Sequence, residues 1–124
     1  MPYTKNWETE GVVTTFFGTV SIEEVINADK EFYEDPRSDK SRYQITDFSG
    51  IVPESANDVD IQKIAAFDAG SSMSIPLLKV ALVTNDQHVK TLCEKYIYYS
   101  QRLNSTWEFK ICDNLQNARE WVFG

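Results

Sequence analysis

The run Leu77-Leu78-Lys79-Val80-Ala81-Leu82-Val83 restricts this chain more than any other stretch. It is nearly all apolar and short, as expected of a strand buried on both faces at the centre of a sheet. Cover on both faces calls for helices packed against the sheet. The segments before and after the run have the form of helices and further strands.

Tyr3 to Glu8 and Gly11 to Phe17 read as two strands joined by a tight turn at Thr9-Glu10-Gly11, with Gly11 supplying a positive φ. Ser21-Ile22-Glu23-Glu24 is a capping box that opens a helix with Ile22, Val25, Ile26, Phe32 and Tyr33 on one stripe. Asp29 falls inside that stripe and is expected at its edge, in water. Asp35-Pro36 ends the helix, because a residue before proline is pushed away from the α region.

A strand, a polar turn and an amphipathic helix follow between Arg42 and Asp68. Tyr43 to Phe48 is the strand, Ser49-Gly50 and Pro53 punctuate its end, and Asn57 or Asp58 caps a helix burying Ile61, Ile64 and Ala65. After the central run, Thr84-Asn85-Asp86 offers the cap of a third helix. Trp107 to Ile111 alternates like an edge strand, and Asp113 is placed to cap a last helix burying Leu115, Ala118 and Val122. The order β-β-α-β-α-β-α-β-α predicts one α/β domain over residues 1–124. Its sheet is mixed and five-stranded, with an N-terminal antiparallel hairpin and right-handed parallel crossovers.

Composition narrows the function classes. A formal net charge of -7 argues against nucleic acid and anionic membrane surfaces, which both demand a basic footprint. No apolar run is long enough to span a bilayer, and the N-terminus lacks the pattern of a signal peptide, so a cytoplasmic protein is expected. Cys93 and Cys112 are the only cysteines. They read as small buried hydrophobes that could be neighbours. His88 stands five residues before Cys93, off its helical face, so no metal site and no cofactor is expected.

Function is sought where the carboxyl ends of parallel strands meet helix N-termini. The turn from Asp47 to Asp58, with Ser49, Ser55 and Asn57, is the candidate for meeting a partner or ligand. Its polar residues also serve as ordinary caps, and no glycine-rich phosphate loop is present. Asp68 shares a helical face with Ile61, Ile64 and Ala65. It is either a carboxylate turned to solvent or a buried group with a perturbed pKa, and the solvent-facing form is expected. Tyr96, Tyr98 and Tyr99 band the third helix, which cannot bury Tyr96 and Tyr98 on one face. One or two of these rings are expected to line a pocket or an interface. No catalytic constellation appears, and an enzyme is not expected.

The strand Arg42-Tyr43-Gln44-Ile45-Thr46-Asp47-Phe48-Ser49-Gly50, leading to Ile61-Gln62-Lys63-Ile64-Ala65, resembles the SpoIIAA-like branch of the STAS and Sec14-type superfamily. The resemblance extends from the opening hairpin to the closing Ala118-Arg119-Glu120-Trp121 helix. It implies the fold above and a regulatory role like that of bacterial anti-sigma-factor antagonists, which bind a kinase and are switched by serine phosphorylation. The corresponding turn here is Pro53-Glu54-Ser55-Ala56-Asn57-Asp58, without the flanking serine and glycine. Docking of a protein, self or regulatory partner, without a phosphorylation switch is therefore expected. The Sec14-type side of the resemblance implies the alternative, a carrier or sensor of a small apolar or lipid ligand.

Overall fold

A computed structural model describes residues 2–52 and 56–124. Strands β1 (Tyr3–Trp7) and β2 (Gly11–Thr19) form the antiparallel hairpin. Helix α1 (Ile22–Glu34) leads through a 3-10 turn, Pro36–Lys40, to β3 (Tyr43–Val52). Helix α2 (Asp58–Ser71), β4 (Lys79–Val83), α3 (Gln87–Arg102), β5 (Glu108–Cys112) and α4 (Leu115–Phe123) complete the chain. The five strands lie in sequence order, and β2 to β5 are parallel. Every crossover thus steps the same way, and a fixed right hand puts α1, α2 and α3 on one face of the sheet. α4 packs on the other.

The caps follow the sequence closely. Ser21 and Glu24 form their capping box, and Asn57 forms a second with Asp60. Asp86 caps α3 by accepting from the Val89 N–H at 2.9 Å. α4 is capped by Asn114 rather than Asp113, because β5 continues to Cys112 and shifts the turn by one residue.

Three other expectations change. Gly11 has no positive φ; among the described glycines only Gly18 does. Gly11 is required for space instead, since a Cβ there would fall on the Tyr43 carbonyl oxygen and within 2.6 Å of its ring. β3 does not stop at Phe48 but runs on to Val52, because Gly50, Ile51 and Val52 pair with Phe17, Gly18 and Thr19 beyond a register shift in β2. β4 starts at Lys79, so Leu77 lies outside the sheet, 85% exposed, while Leu78 remains buried.

The sheet separates two apolar layers. On the α1–α3 face, Val12, Val80 and Leu82 meet Phe32, Ile64 and Val89. On the other, Val13, Ile45 and Val83 meet Ala118 and Val122 of α4. Cys93 lies in the first layer and Cys112 in the second, so the two free thiols are separated by the sheet. Trp107 closes the lower end of the first layer and donates its indole N–H to the Ile75 carbonyl at 2.6 Å. The hairpin is tied to the C-terminal helix, where Arg119 grips Glu8 through two hydrogen bonds of 2.8 and 3.0 Å.

Candidate functional site

Between the sheet and α1–α3 lies a cavity of about 260 Å³. Its upper wall, at the carboxyl ends of the strands, is apolar and includes Val20, Ile22, Ile51, Val52 and Ala56. One to two helical turns deeper the lining becomes polar, with Asp29 from α1, Gln44 and Thr46 from β3, Asp68 from α2 and Tyr96 from α3. Strand alternation explains part of this floor. Tyr43 and Ile45 face α4, so Gln44 and Thr46, which alternate with them, point to the cavity side.

Asp68 is the hub of the floor. It is 4% exposed, which overturns the expectation of a solvent-facing carboxylate. Tyr33 donates to its Oδ1 at 2.8 Å and Tyr96 to its Oδ2 at 2.6 Å. Asp29, expected in water, instead sets its carboxyl against that of Asp68 and beside the Gln44 amide. The physical reason is the same for both residues. Each lies on the helical stripe that faces the sheet, and each finds hydrogen-bond partners there that water would otherwise supply.

Two carboxyl groups this close cannot both be ionised at low cost, so they hold one proton between them. Burial, then the charge of Asp68, pushes the Asp29 carboxyl far above the usual carboxylate range. Burial also raises Asp68, but hydrogen bonds from Asp29, Tyr96 and Tyr33 oppose it. Both Asp68 oxygens accept from phenols, so the geometry makes Asp68 the anion of the pair and leaves the proton with Asp29. Burial, then the facing carboxylates, raises the Tyr33 and Tyr96 phenols, keeping both hydroxyls as donors. Lys5 stands behind Asp29, its ammonium donating to the Thr14 hydroxyl at 3.1 Å, and burial lowers its pKa.

One more polar floor group is Thr46 of β3. It is 8% exposed and lies on the side of β3 that faces the cavity. The cavity also exposes Cys93, whose thiol burial pushes up to about 12, so it is no nucleophile at neutral pH. Among the described residues no group of three or more metal-ligating side chains comes together.

Of the described residues expected to form the site, only Asp68 lines the cavity. Asp47 points to the opposite face from Thr46 and Phe48 and accepts from the Ser49 N–H at 2.9 Å and its hydroxyl at 2.6 Å. Those bonds hold β3 where its pairing with β2 shifts register. Asn57 is the α2 cap, and Asp58 pairs with Lys95 at 2.9 Å on the surface. Ser55 lies outside the described residues. Tyr96 is the tyrosine that lines the pocket, while Tyr98 is 54% exposed. The missed residues, Asp29, Gln44 and Thr46, did leave a signal. Asp29 interrupts an apolar stripe seven residues after Ile22, at the same helical phase as the cavity wall.

No protein-family model matches this chain, and no curated protein matches it significantly. No helix among the described residues is long and apolar enough to cross a membrane.

Proposed function

We propose that this protein is a non-catalytic carrier or sensor, cytoplasmic in location, that holds one small amphiphile in the cavity between the sheet and α1–α3. The observation that carries this reading is the cavity itself, apolar at its mouth and with Asp29, Gln44, Thr46, Asp68 and Tyr96 on its floor. A dry cavity of about 150 Å³ holds a benzene molecule. The volume here therefore suits an occupant of about ten non-hydrogen atoms and is too small for a whole phospholipid.

A second reading, docking of a protein partner at the turn after β3, is compatible with the first. Val52 lines the cavity mouth and is 57% exposed, and Val59 on the first turn of α2 is 58% exposed. An occupant would change the surface such a partner meets.

Titration with 2-phenylethanol, followed by NMR of the Ile64 and Leu82 methyl groups, tests the carrier reading. Saturable shifts confined to cavity residues, and lost in Val25→Phe, are expected. Absence of saturable shifts in the wild-type protein would overturn it.

A further inference from the structure

We infer, building on the reading of the cavity as a ligand site, that the occupant carries a primary amine whose ammonium takes the place of the proton shared by Asp29 and Asp68. The floor presents two carboxyls as acceptors, and its Gln44 amide donates towards Asp29. Asp29, Asp68 and the Thr46 hydroxyl all line the cavity, and the two phenols that approach Asp68 already spend their protons on it. A primary ammonium brings three N–H donors and no acceptor, which complements these groups. A carboxylate or phosphate head would meet the negative dyad at close range and is disfavoured by the same geometry.

The charge count favours the same head. With one proton on the dyad, Asp29 and Asp68 carry a single negative charge, balanced by the Lys5 ammonium behind them. When an ammonium enters and the shared proton leaves to solvent, two carboxylates face two cations and the site stays neutral. The exchange is balanced: one protonated amine bound, one proton released, no bond to carbon made or broken. Lys5 itself is not the missing occupant, since its ammonium is engaged by Thr14 and it does not line the cavity. The other titratable groups facing the dyad are Tyr33 of α1 and Tyr96 of α3, both held as neutral donors, with Cys93 of α3 higher in the cavity. Glu31 and Asp35 act on the dyad only through Lys5.

Calorimetry with 2-phenylethylamine, 2-phenylethanol and phenylacetate, in buffers of different ionisation enthalpy, decides the matter. The amine should bind at least about tenfold more tightly than the alcohol at pH 8 and release close to one proton per molecule. Its affinity should rise by about tenfold per pH unit while the dyad still holds its proton. Asp29→Asn should abolish proton release and reduce the ratio of amine to alcohol affinity. Equal binding of amine and alcohol without proton release, or tighter binding of phenylacetate, would overturn this inference and leave the cavity reading standing. If neither amine nor alcohol binds the wild-type protein, both readings fall together.

Discussion

Asp68 accepts a hydrogen bond on each oxygen inside the apolar layer. An amide in its place can accept from only one phenol and turns an N–H₂ towards the other. Asp68→Asn should therefore cost about 2–3 kcal/mol in urea unfolding, well beyond the effect of a surface substitution. Asp29 behaves differently because its proton is part of the native state. Its folded pKa is raised, so the stability it gives is complete below the unfolded carboxylate value of about 4 and is lost as pH rises through the folded value. Wild-type stability should decline with rising pH across that window. Asp29→Asn, a neutral mimic of the protonated acid, should flatten the decline; an unchanged slope in the variant would refute the assignment of the proton. Both carboxylates were visible in the sequence as polar interruptions of apolar stripes. Their pairing was not, because Asp29 and Asp68 stand on different helices and only the crossover geometry brings them face to face.

At the scale of elements, the sequence carried the order of strands and helices and most of the caps, since those depend on neighbours within a few residues. Ser21 with Glu24 is local chemistry, as is Asp86 with Val89. The strand ends depend on partners far along the chain. β3 outran its apparent stop at Ser49-Gly50 because β2 was there to pair with it, and Leu77 dropped out of β4 because β3 begins only at Tyr43, opposite Lys79. Gly11 teaches the same lesson in another form. Its role is set by the Tyr43 ring and carbonyl packed over it, not by its own turn. Gly11→Ala should accordingly destabilise the protein by about 1–3 kcal/mol, the range of overpacked sites, and thermal unfolding would show it. A loss of a few tenths of a kcal/mol would mean the hairpin moves aside freely.

The whole molecule is built by repeated steps in one direction, which leaves three helices sharing one face and a single helix on the other. The hairpin joins neighbouring segments, and each parallel step closes a loop that contains one helix. The grip of Arg119 on Glu8 is the exception, spanning 111 residues. Closing nearly the whole chain carries the largest loop-closure entropy in the fold, so this contact is expected to form late and to add to the native state more than to the barrier before it. In a chevron plot Arg119→Ala should leave the folding arm nearly where it is and raise the unfolding arm. The bond between the first hairpin and the last helix thus governs how long a folded molecule lasts, and has little say in how quickly one is made.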